Sequence, residues 1–87
     1  MSKYQLTVYT RPFCLDCQKL KRDLSQKEIP YKLIEVNSSE EEEQMVNVTG
    51  SKIVPALIFM KKGLLKKKTI FIGYEANQIE INKYLQS

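Results

Sequence analysis

Histidine is absent from the 87-residue chain, and cysteine occurs only twice, at Cys14 and Cys17. Two cysteines this close cannot build a disulfide framework, and a bridge between them closes so short a loop that it adds little stability. Tetrahedral zinc with nitrogen and sulfur ligands would need carboxylates or a second chain, because no other such ligand exists here. No apolar run approaches the roughly 20 residues needed to span a bilayer. Internal repeats, low-complexity stretches and linkers are also missing. Met1-Ser2-Lys3-Tyr4-Gln5 leads directly into a strand pattern, without the charged, apolar and cleavage segments of a secretory leader. The expectation is one domain, residues 1–87, monomeric and cytoplasmic, in a compartment where cycling thiols outnumber structural ones. A chain of this length buries roughly 60–65% of its unfolded surface in one modest core.

What is present is charge of both signs, unevenly spread. The net charge is +4, with 14 Lys and Arg against 10 Asp and Glu. Glu40 to Glu43 form an acidic block, and Lys61, Lys62, Lys66, Lys67 and Lys68 a basic one. A mild excess of this kind is ordinary for solvated lysines, so neither nucleic acid nor membrane is expected as a partner.

Tyr4 to Thr10 is β-branched and aromatic and reads as the first strand, with Leu6 and Val8 on one face. Arg11-Pro12-Phe13 breaks it. From Cys17 to Glu28 the spacing is helical, with Leu20 and Leu24 on the face of Cys17. Pro30 ends this helix, since the residue before a proline disfavours helical geometry. Tyr31 to Val36 is the second strand. Strand, helix and strand within about 33 residues make a βαβ unit, so the two strands should be parallel. Ser38 with Glu41, or Ser39 with Glu42, matches a capping box, so the acidic run reads as a helix start rather than a docking patch. Met45, Val46 and Val48 give that helix its apolar stripe, and Gly50 closes it. Ile53 to Met60 is the third strand, entered through Pro55. Lys61 to Lys68 is a turn around Gly63. Thr69 to Ile72 is an antiparallel edge strand, which lysines protect from pairing with other chains. Tyr74 to Leu85 is a final helix with Ile81, Tyr84 and Leu85 on one face and Ile79 off to the side. The order β-α-β-α-β-β-α implies an α/β fold, a four-stranded mixed sheet flanked by helices, with right-handed connections between parallel strands.

Cys14-Leu15-Asp16-Cys17 therefore sits in a strand-to-helix loop. A helix N-terminus offers unpaired N–H groups and a positive dipole end, both of which favour a thiolate at Cys14. Arg11 is a second candidate stabiliser, whereas the Asp16 carboxylate works against another negative charge. Cys14 is then the attacking thiol, with a moderately lowered pKa, and Cys17 on the apolar helix face the resolving one. A CxxC pair is also half of a metal site, or simply two inert cysteines, and the spacing by itself leaves those readings open.

The element order, the CxxC after the first strand and Val54-Pro55 before the third resemble the thioredoxin fold in its short glutaredoxin-like form. Tyr9-Thr10-Arg11, Lys21-Arg22 and Gly73-Tyr74 are more similar to NrdH-redoxins, which are glutaredoxin-like in sequence and thioredoxin-like in behaviour. The likeness extends over nearly the whole chain. It implies that Pro55 is cis and faces the dithiol, with the Val54 backbone offering strand-like hydrogen bonds to a substrate; from the residues alone Pro55 reads equally as a strand start. It also implies a partner groove of Phe13, Leu15, Val54, Pro55, Gly73 and Tyr74, although Phe13 at a strand end fits the core as well. The chain departs from ordinary glutaredoxins at three places. Leu15-Asp16 replaces Pro-Tyr between the cysteines. Gly73-Tyr74-Glu75-Ala76-Asn77 replaces a Gly-Gly followed by acidic residues, leaving Glu75 as the one carboxylate. Ile53 replaces a polar residue. Each weakens the case for glutathione.

The resemblance implies an electron carrier with no bound cofactor. Reducing equivalents come from NADPH through a thioredoxin reductase-like flavoprotein and pass to a protein disulfide such as that of ribonucleotide reductase. One alternative is a glutathione-dependent glutaredoxin. Another, of a different class, is a module holding a metal or cluster between two copies through Cys14 and Cys17.

Overall fold

The structure, a computed structural model, describes residues 3–63 and 67–86. Seven main elements follow the expected order: β1 (Tyr4–Thr10), α1 (Leu15–Gln26), β2 (Lys32–Glu35), α2 (Ser39–Thr49), β3 (Ala56–Lys61), β4 (Lys68–Ile72) and α3 (Gln78–Leu85). The strands form one sheet in the order β2-β1-β3-β4. β1 runs parallel to β2, with Val8 opposite Leu33, and antiparallel to β3, with Val8 opposite Leu57. β4 lies antiparallel to β3 at the edge.

Alternation along β1 and β3 divides the core in two. Leu6, Val8, Leu57 and Phe59 pack with Leu20 and Leu24 of α1, Ile81 of α3 and Tyr74. Tyr9, Ala56 and Ile58 face the other way, onto Met45 of α2 and Val36. Helices therefore cover both faces, as period-two side-chain direction requires. At the far end of β1, Tyr84 gathers Tyr4, Phe59 and Phe71 at ring-centroid distances of 5.0, 5.0 and 5.4 Å. These edge-on and tilted pairings suit the aromatic quadrupole.

Several boundaries differ from the sequence expectation, each for a local reason. α1 starts at Leu15, two residues before Cys17, because the Cys14 side chain itself caps it. It ends in a Schellman turn rather than at Pro30. Ile29 N–H donates to the Leu24 carbonyl and Glu28 N–H to that of Ser25, with Glu28 at φ 55°. In α2 the Ser38–Glu41 box is the one formed: Glu41 N–H donates to Ser38 Oγ at 3.2 Å, and Glu41 Oε1 accepts from Asn37 N–H at 2.9 Å. Strand β3 begins only at Ala56, directly after the cis Val54–Pro55 bond. β2 is shorter than expected and β4 one residue longer. The connection between β3 and β4 closes with Lys61 N–H on the Lys67 carbonyl, and Gly63 sits at φ 113°; Leu64, Leu65 and Lys66 of the expected turn lie outside the described residues. The single helix expected from Tyr74 is instead a 3-10 turn at Glu75–Asn77 followed by α3. Asn77 departs from helical geometry, and its Nδ2 donates to the carbonyls of Ile72 and Gly73. Among the described residues no helix is long and apolar enough to cross a membrane.

Tyr74 is fully buried, and its hydroxyl donates to Asp23 Oδ2 at 2.7 Å. Burial first, and then the Asp23 carboxylate, push its pKa up to about 12. A phenol raised above its unfolded value of about 10 contributes stability that is complete below pH ~10 and lost as pH climbs toward the folded value. Tyr74→Phe is expected to cost about 1–2 kcal/mol at neutral pH and to flatten the alkaline decline. Urea unfolding at about pH 8 and about pH 11 checks both.

Candidate active site

β1 delivers the chain to the site at Thr10, whose carbonyl accepts from Val36 N–H at 2.7 Å. The loop then turns through Phe13, which adopts φ 62°. A bulky residue in that region marks a conformation the surroundings impose. Cys14 is extended (φ −101°, ψ 110°), and its Sγ accepts from Cys17 N–H at 3.2 Å, taking the place of the usual Ser or Asp cap. Cys14 and Cys17 are joined as a disulfide with their Cα atoms 5.2 Å apart. Cys14 is half-buried and Cys17 fully buried. The leading sulfur is thus the one a partner can reach, beside the amide-rich start of a helix.

Opposite the dithiol lies the cis Val54–Pro55 bond, with the Val54 carbonyl oxygen 4.0 Å from Cys14 Sγ. Gly73 N–H donates to the Pro55 carbonyl at 2.7 Å, fastening the end of β4 to this loop. Gly73 is at φ 91°, and the space a Cβ would fill there is open. Cys14, Val54, Pro55 and Gly73 therefore come together. Around them Phe13 (98% exposed), Leu15 (81%) and Ile53 (62%) stand in solvent. Phe13 is thus a surface residue and not part of the core.

Two expectations need correction. Tyr74 does not line the groove: its ring fills the core beneath α1, and only its backbone reaches the site. Nor is Arg11 turned to the thiol. Its guanidinium pairs with Glu42 at 2.8 Å and donates to the Lys52 carbonyl at 3.3 Å, so its charge is committed to α2. Glu42, which also has Lys52 Nζ at 3.7 Å, is held below the usual carboxylate range chiefly by the Arg11 hydrogen bond. The sequence reading assigned Glu42 only to the cap. It also gave Asp16 no partner. In the structure Asp16 Oδ2 accepts from Tyr74 N–H at 2.8 Å, and Oδ1 from Glu75 N–H at 3.2 Å. The one sequence signal was a carboxylate set between two cysteines; its partners lie 58 and 59 residues away.

A sequence model of the glutaredoxin family matches residues 6–65. The chain belongs to the glutaredoxin family. Three solved structures share its fold at low identity. A glutaredoxin from Archaeoglobus fulgidus has TM-score 0.70 and 17% identity, over 97% of this chain and 88% of that one. A buckwheat glutaredoxin in complex with glutathione has TM-score 0.63 and 17% identity, over 95% and 74%. A thioredoxin from Trichomonas vaginalis has TM-score 0.58 and 23% identity, over 91% and 75%. No curated protein matches the chain. The fold is thioredoxin-like, and the protein, with its Cys14–Cys17 pair, is a thiol–disulfide oxidoreductase. Among the described residues, no group of three or more His, Cys, Asp or Glu is placed to hold a metal ion.

The Arg11–Glu42 pair ties the loop before Cys14 to α2. A carboxyl whose folded pKa is depressed contributes stability present above its unfolded value of 4.5 and lost as pH falls through the folded one. Glu42→Gln is expected to lower stability at neutral pH and to make the acid decline shallower. Denaturant midpoints at about pH 7 and about pH 3 test this.

Proposed function

We propose that this protein is a dithiol reductant of the NrdH-redoxin type. Electrons pass from NADPH through a thioredoxin reductase-like flavoprotein to the Cys14–Cys17 disulfide, and from the dithiol to a protein disulfide such as that of ribonucleotide reductase. Cys14 thiolate attacks the partner disulfide, and Cys17 attacks the resulting mixed disulfide and releases the reduced partner. The exposed Phe13, Leu15 and Ile53 receive apolar partner surface, and Val54 offers its backbone to an extended partner segment.

The observation that supports this reading over a glutathione-dependent one is the Asp16 carboxylate on the Tyr74 and Glu75 amides. Glutathione carries two carboxylates, and a protein using it must hold them close to the reactive sulfur. Here the two amides just beyond Gly73 already hold an internal carboxylate. Glu75 is paired with Lys19 at 3.6 Å, and the Asn77 amide is turned inward. A glutathione carboxylate would have to displace Asp16 to reach the Tyr74 and Glu75 amides.

Reduction of the oxidised protein decides between the two. With NADPH and thioredoxin reductase, turnover is expected to exceed that with glutathione and glutathione reductase by at least about tenfold, a barrier difference of about 1.4 kcal/mol. Turnover is lost in Cys14→Ser. Asp16→Ala should raise the glutathione-driven rate several-fold. Fast glutathione turnover by the unsubstituted protein would make it a glutathione-dependent glutaredoxin, and no turnover with either system would favour a metal or cluster module bridging two copies. Phe13→Ala should leave stability within about 0.5 kcal/mol while raising KM for a protein disulfide several-fold.

A further inference from the structure

Among the described residues one buried side-chain polar atom has no hydrogen-bond partner: Thr10 Oγ1, on a residue with no exposed surface. Buried polar groups are nearly always paired, so an orphan of this kind calls for a physical reason. Its place in the fold supplies one. Leu6, Val8 and Thr10 alternate along β1, and the first two pack against Leu20 and Leu24 of α1. Thr10 is the next residue on that face, at the end of β1 and four residues before Cys14. Cys17, which shares the inward face of α1 with Leu20 and Leu24, is the buried residue of that turn.

We propose that the Thr10 hydroxyl is the hydrogen-bond donor to the Cys17 sulfur in the dithiol and mixed-disulfide states, and that it promotes the second exchange step. The inference rests on the reading of Cys17 as the resolving thiol. In that step the Cys17 thiol gives up its proton as its sulfur attacks Cys14 Sγ. The Cys14–Cys17 bond forms, the Cys14–partner bond breaks, and the partner sulfur leaves with the electron pair and ends up carrying the proton. Sulfur at Cys17 acquires negative charge where water does not reach, and an anion so placed is costly without a donor. The neighbouring polar groups are already engaged: Asp16 on the Tyr74 and Glu75 amides, and the Tyr74 hydroxyl on Asp23. Thr10 has an uncommitted O–H, and its backbone is held in place through Val36. In the disulfide the hydroxyl has no partner, the Cys17 sulfur included. The same residue therefore favours the dithiol at equilibrium.

Thr10→Val keeps the shape and removes the hydroxyl; Thr10→Ser keeps the hydroxyl. Thr10→Val is expected to slow release of a protein substrate from the Cys14 mixed disulfide several-fold. It should also shift the dithiol–disulfide equilibrium about tenfold toward disulfide, a fall of about 30 mV in potential. Thr10→Ser should stay near the unsubstituted protein in both. The first attack, followed in a Cys17→Ser background, should be unchanged by Thr10→Val. Unaltered release and potential in Thr10→Val, or equal damage in Thr10→Ser, would overturn the proposal. If Thr10→Val does not fold, a structure of the reduced unsubstituted protein decides: Thr10 Oγ1 within hydrogen-bond reach of Cys17 Sγ supports it, and any other partner for that hydroxyl overturns it. The assignment of Cys17 is checked separately. Trapping of the partner adduct by Cys14→Ser rather than Cys17→Ser would mean that the roles of the cysteines, and not the function of Thr10, had been misread.

Discussion

Two carboxylates of α1 grip one residue beyond β4. Asp16 accepts from the Tyr74 amide and Asp23 from the Tyr74 hydroxyl, at 2.8 and 2.7 Å. Positions seven apart lie on one face of a helix, so a single tyrosine is held at both its backbone and its tip. The relative placement of the catalytic parts follows from that grip. Tyr74 fixes Gly73, Gly73 fixes Pro55 through its N–H, and Pro55 sets the Val54 carbonyl beside Cys14. The dithiol and the loop facing it belong to distant stretches of chain, and this chain of contacts holds them in register.

The site divides its two sulfurs between different surroundings. Cys14 sits half-buried at a helix start, within reach of solvent. Cys17 is fully buried. The apolar surface follows the same division. Phe13, Leu15 and Ile53 are exposed near the leading sulfur, whereas Cys17 has no exposed surface.

Much of this was legible in the sequence. Alternation in Leu6-Thr7-Val8 and helical spacing from Cys17 to Leu24 gave the elements, and the CxxC at their junction gave the chemistry. The family likeness gave the cis bond at Pro55. What stayed hidden shares one cause, dependence on partners remote in the chain or on unusual use of a residue type. A cysteine is seldom a helix cap, so the start at Leu15 was missed. Glu28 is not a glycine, so the left-handed turn that ends α1 gave no signal. Tyr74, an aromatic beside a glycine at a corner, looked like surface; only Asp23, 51 residues away, makes its burial comprehensible. Arg11 looked like an aid to the thiolate because Glu42 was assigned to a helix start.

Cys14 as a helix cap ties backbone to chemistry. The acceptor for the Cys17 amide is the very sulfur that changes bonding during turnover. A disulfide sulfur is a weak acceptor and a thiolate a strong one, so the first hydrogen bond of α1 tightens when the protein is loaded with electrons and slackens when it is spent. The Cys17 N–H is consequently a gauge of charge state inside the fold, one that an amide resonance registers without any label.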